Sequence, residues 1–131
     1  MLRGAWHLVA WQIEVEGRVT EPFGPGATGM ILYTDDGHMS AVIAAAGRAA
    51  LSAPVPRQAP EGERAAAFDS YFHYAGTYEI IDGPRVVHRV TQALNPAFVG
   101  TEQVREIALN GADLVLSARE GARHHRIHWR R

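Results

Sequence analysis

The sequence contains no cysteine and no lysine, and its 13 basic residues are all arginine. Without cysteine there is no disulfide, no thiolate nucleophile and no thiolate-bound zinc. Without lysine there is no Schiff-base chemistry. Excess charge is missing too. The 13 arginines nearly balance 14 acidic residues, so the formal net charge of -1 supplies no field to hold nucleic acid or an anionic membrane. Long apolar runs are also absent. No stretch approaches the roughly 18 apolar residues of a membrane span, and the opening Met1-Leu2-Arg3-Gly4-Ala5-Trp6-His7 lacks a signal-type apolar run. These absences predict a cytoplasmic protein with neither a nucleic-acid nor a membrane partner. No nucleophile-elbow, P-loop or dinucleotide fingerprint occurs, and no cofactor is expected. Chemistry, if any, falls to His, Asp, Glu, Ser, Thr, Tyr and Arg.

What is present describes one domain over residues 1–131, of a size that buries roughly two-thirds of its unfolded surface. Hydrophobic residues make up 47% and charged residues 21%, ordinary for a globular chain. The Ala- and Arg-rich, Lys-free usage points to a GC-rich bacterial genome. Short segments rich in Val, Ile, Tyr and Trp alternate with turn residues, the pattern of an all-β barrel or sandwich. The strands predicted are 6–15, 29–34, 38–44, 74–81, 85–93, 101–109, 113–118 and 123–130. Asp35-Asp36-Gly37 and Asn110-Gly111 mark hairpins, because Asp, Asn and Gly tolerate the backbone such turns demand. Residues 45–60 carry Pro54, Pro56 and Pro60 and read as a loop. Residues 61–72 form the one helix candidate, with Ala65, Phe68 and Phe72 at helical spacing. An antiparallel barrel of roughly eight strands, with one helix between the third and fourth, removes the exposed edges of such a sheet. It is wide enough for side chains or one small ligand.

Gly4-Ala5-Trp6 at the start of the first strand resembles the G-x-W signature of lipocalins. Further stretches are similar to the small bacterial lipocalin-like domain family. They are Leu8-Val9-Ala10-Trp11, residues 29–41 (GMILYTDDGHMSA), Tyr74-Ala75-Gly76-Thr77-Tyr78, Val87-His88, Asn95-Pro96 and residues 99–105 (VGTEQVR). They run in order over nearly the whole chain. The resemblance implies a calycin-type barrel whose Trp6 plugs one end under a basic residue of the last strand, Arg130 or Arg126. It also implies an interior that takes a lipophilic small molecule, or cyclises, isomerises or hydrates one.

Alternation along strands assigns candidate interior residues. His88 shares a face with Val86, Val90 and Gln92. Gln103, Arg105 and Ile107 share another, and Tyr74, Gly76, Tyr78 and Ile80 a third. If these faces point inward, apolar walls surround a few polar groups, the make-up of a ligand pocket. His88 would then move protons, with Arg105 and Tyr78 positioning polar oxygens. Alternatively, the buried His and Arg complete an internal hydrogen-bond network. Trp11, Tyr33, Met39, Phe68, Phe72, Tyr74 and Gln103 are candidate ligand contacts, with ordinary core packing as the plain alternative. The helix either lids the barrel mouth or only seals the core. His124, His125 and His128 are spaced too widely along a strand to share a metal, and no metal site is expected. The functional expectation is a barrel binding a small hydrophobic or aromatic metabolite. The alternatives are a cofactor-free cyclase or isomerase of a polyketide- or terpene-like compound from secondary metabolism, and an interaction module with a filled core. An apolar helix face would suit a homodimer.

Overall fold

The computed structural model describes residues 1–131. It contains nine strands: β1 (Gly4–Val15), β2 (Arg18–Thr20), β3 (Thr28–Tyr33), β4 (His38–Ala44), β5 (Tyr71–Ile81), β6 (Arg85–Ala93), β7 (Glu102–Asn110), β8 (Asp113–Glu120) and β9 (Arg123–Arg130). The one α-helix, α1 (Glu61–Asp69), lies between β4 and β5. All pairings are antiparallel, in the order β1-β3-β4-β5-β6-β7-β8-β9. β9 pairs back onto β1 over His7–Glu14, which closes an eight-stranded barrel. β2, which the sequence reading missed, is a three-residue strand folded back on the end of β1. No helix is long and apolar enough to cross a membrane.

The helix is shorter than its apolar spacing predicts. Ser70 ends it by donating its hydroxyl to the Ala66 carbonyl at 2.7 Å. From Tyr71 onward the backbone pairs with β4 instead. Phe72 therefore belongs to a strand and points into the barrel, while Phe68 stays on the helix.

Two β-bulges reset which residues face inward. On β1, Leu8 pairs with Trp129 and Ala10 with His128, so Val9 is an extra residue. A bulge shifts the alternation by one. Trp6 and Leu8 face the interior before it, and Trp11 and Ile13 after it. On β6, Val90 pairs with Gly76 and Gln92 with Ala75, leaving Thr91 as the extra residue. Gln92, expected on the inward face with His88, is turned outward, and Ala93 packs on the core in its place.

One end of the barrel is plugged. Trp6, Trp129, Leu114 and Val86 are fully buried there. The Trp6 indole N–H donates to the Leu2 carbonyl at 2.8 Å. The cation over Trp6 is Arg131, 4.1 Å from the ring centre, and not Arg130 or Arg126. The inward residues of β9 are His125, Ile127 and Trp129, so the even-numbered arginines point out. Arg130 instead pairs with Asp113 at 2.9 Å. Arg131→Ala should therefore cost about 0.5–1 kcal/mol of stability in chemical denaturation. Arg130→Ala, which breaks an exposed pair, should cost distinctly less.

Candidate functional site

At the end of the barrel away from Trp6 lies a cavity of about 530 Å³. Its apolar walls include Trp11 from β1, Ile43 from β4, Phe72 from β5, Phe98 from the short turn at 96–98, and Ile127 from β9. The aromatic groups brace one another. Trp11 meets Phe23 edge-on at 5.1 Å and Phe72 at 6.2 Å, and Phe72 meets Phe98 at 6.0 Å. Half-buried polar groups on the lining are Gln103 and Arg105 of β7 and His125 of β9, and the exposed Glu102, Arg119 and Glu120 stand at its border. The Trp11 indole N–H donates to His125 Nδ1 at 3.4 Å, and partial burial lowers the His125 pKa from its ordinary value.

The wall has a seam. β7 and β8 pair only between residues 106–110 and 113–117. Residues 102–105 keep their bonds to β6 through Glu102–Arg105 but have no partner on the β8 side. Residues 118–120 of β8 pair with β9 alone. Both unpaired stretches border the cavity, so it opens sideways between the two strands as well as at the barrel end.

Beneath the cavity sits a closed polar cluster. His88 is 1% exposed. Its Nε2 lies 2.6 Å from the Tyr33 hydroxyl and its Nδ1 2.7 Å from the Tyr74 hydroxyl. Burial, with a smaller contribution from the Arg105 guanidinium, drives its pKa down to about 3, so the imidazole is neutral. Burial likewise raises the pKa of both tyrosines. A neutral imidazole has one donor and one acceptor nitrogen, so one tyrosine donates and the other accepts. The positive Arg105 guanidinium partly offsets the pKa rise of both tyrosines.

Of the candidate residues, Trp11, Phe72, Gln103 and Arg105 line the cavity together. Tyr33 and Tyr74 hold His88 beneath it, and Tyr74 touches the lining through Phe72 and Phe98. Met39 is buried in the core. Tyr78 donates to the Thr34 carbonyl at 2.8 Å and packs edge-on against Tyr33. It is not part of the cavity lining. Phe68 is 49% exposed, and no residue of α1 lines the cavity, so the helix does not lid it. It is tied instead to the preceding loop, where Ser52 bonds Glu63 and Arg48 bonds the Ala67 carbonyl. His124 and His128 face outward, and His128 pairs with Asp113 at 2.7 Å. Sequence reasoning missed Ile43, Phe98, Ala118, His125 and Ile127. The inward parity of His125 and Ile127 follows from Trp129 as a core residue, four and two positions further along the same strand.

A closed eight-stranded barrel, plugged by a tryptophan at one end and hollow at the other, defines a class of binding barrels. The chain belongs to the lipocalin-like domain family, whose model matches residues 3–131. Among curated proteins the chain has no match.

Proposed function

We propose that this barrel binds a small, largely apolar molecule in the cavity at its open end. The observation that carries this reading is the lining: an aromatic and aliphatic wall of Trp11, Ile43, Phe72, Phe98 and Ile127 around about 530 Å³, with the polar and charged side chains gathered on the β7 to β9 side. Volumes of this order, walled mostly by apolar side chains, are typical of ligand sites. A core meant only for stability would be filled, because empty apolar space costs dispersion contacts.

The same geometry weighs against a catalytic reading centred on His88. A general base needs a lone pair within reach of the substrate. Both nitrogens of His88 are engaged by tyrosines, and a pKa near 3 makes it a weak base. It is better suited to fixing the strands that carry Tyr33 and Tyr74. Binding therefore accounts for the cavity without asking His88 to leave its partners.

The test is to fill the space. Ala118 is a half-buried small residue on the lining. Ala118→Trp should reduce uptake of the neutral fluorophore N-phenyl-1-naphthylamine at least about tenfold, equivalent to roughly 1.4 kcal/mol, with an unchanged far-UV circular dichroism spectrum. If the unmodified protein takes up no such probe, or if the filled variant binds it equally well, the reading is wrong.

A further inference from the structure

We propose that the molecule bound here is an amphipathic anion, with its acidic group held by Arg105 and its flat apolar body against Trp11, Phe72 and Phe98. This rests on the binding reading above and adds the chemical class of the ligand.

The argument starts from the inward faces. The barrel strands turn inward Trp6, Leu8, Trp11 and Ile13, then aliphatic, aromatic and glycine positions of β3 to β6, with His88 among them. The exposed Glu102, Arg119 and Glu120 border the cavity, and its half-buried polar groups on β7 to β9 are Gln103, Arg105 and His125. Arg105 alone among these half-buried groups carries a permanent charge. Yet none of the seven ion pairs of the protein includes Arg105. Its donors reach only neutral acceptors, the Val104 carbonyl at 3.0 Å and Gln103 Oε1 at 3.4 Å.

No internal carboxylate stands ready as a counter-ion. Burial holds Tyr33 and Tyr74 protonated and His88 neutral. The acidic residues on the cavity border are Glu102 and Glu120. Glu102 is committed to Arg89 at 2.9 Å, and Glu120 is an exposed residue beside Arg119 at the end of β8. A half-buried guanidinium beside an apolar wall is costly unless an anion meets it. Its planar fork matches a carboxylate through two parallel hydrogen bonds. The aromatic lining beside it would take the rings or chain to which that carboxylate is attached.

Two probes of nearly the same shape separate the charge from the body. N-phenyl-1-naphthylamine is neutral, and 8-anilino-1-naphthalenesulfonate carries an added sulfonate on the same ring system. The protein should prefer the anionic probe by about tenfold or more at low salt. Competition by 2-naphthoate should exceed competition by 2-naphthamide in the same sense. Added salt should erode the preference without affecting the neutral probe. Arg105→Met should take both probes with similar affinity, and Arg105→Lys should keep an intermediate preference. The salt series needs no variant, so it stands even if Arg105→Met fails to fold. Equal affinity for the two probes in the unmodified protein, or a preference that survives in Arg105→Met, overturns the proposal and leaves the binding reading intact. Failure to bind either probe sinks both.

Discussion

Gly76→Ala should be the most damaging conservative substitution in the barrel, with a loss of at least about 3 kcal/mol in chemical denaturation. A β-carbon at this position would lie within 1.9 Å of the Arg89 carbonyl oxygen and 3.0 Å of the Thr91 nitrogen. Both are backbone atoms of β6, so no side chain can swing aside. The close approach comes from the bulge at Thr91, where β6 presses against the middle of β5. Relief would require the two strands to separate, and this is the segment that presents Tyr74 on one side and His88 on the other. The same change should therefore loosen the His88 cluster, visible as new exchange of its ring protons by NMR. Gly62→Ala is the control. It lies in α1 with no heavy atom near the added carbon, and should leave stability unchanged or slightly raised. Equal, small effects of the two substitutions would mean that the Gly76 contact is not a constraint.

The barrel could be read from residue pattern because each strand is bounded by a turn with its own chemistry, such as Asn110-Gly111, where Gly111 adopts φ +62°. Alternation then placed His88, Gln103, Arg105 and Tyr74 on interior faces without knowledge of the register. It failed where the backbone inserts an extra residue. Strict alternation from Trp6 would send Trp11 to the outside, and only the bulge at Val9 brings both tryptophans in. The Thr91 bulge misplaced Gln92 in the same way. A bulge is a two-strand property, set by the partner's register, so a single strand's pattern does not carry it. Phe68 was misjudged for a different reason. Its spacing with Phe72 fits a helix, but the helix ends at Asp69, because β4 offers Tyr71 and Phe72 a strand partner. The seam between β7 and β8 was invisible as well. The sequence of both strands is regular, and only the absence of pairing beyond Glu106 and Ser117 reveals it.

His88→Gln should flatten the acid limb of the stability curve. In the unfolded chain the imidazole takes its proton near 6.5, and in the barrel not until about 3. Between these values the unfolded state binds more protons than the folded one, so stability rises with pH and is lost as pH falls from 6.5 toward 3. The full loss attributable to this one side chain is on the order of 4–5 kcal/mol. Asp36 and Asp113, whose pKa values are lowered by hydrogen bonds from neighbouring side chains, also lose stability in acid, but they are unchanged in the variant. At neutral pH His88→Gln should be the less stable protein, because the Tyr33 and Tyr74 hydroxyls lose well-placed partners. As pH falls the difference should shrink and then change sign, since the variant has no buried imidazole to protonate. Arg105 supplies the second, smaller contribution to the His88 shift, so Arg105→Met should flatten the same limb to a lesser degree. Denaturation midpoints measured from pH 7 to pH 3 give the comparison directly. Parallel curves for the native protein and His88→Gln would mean that the imidazole takes its proton within the fold as readily as in the unfolded chain, and the cluster would then have to accommodate an imidazolium facing Arg105.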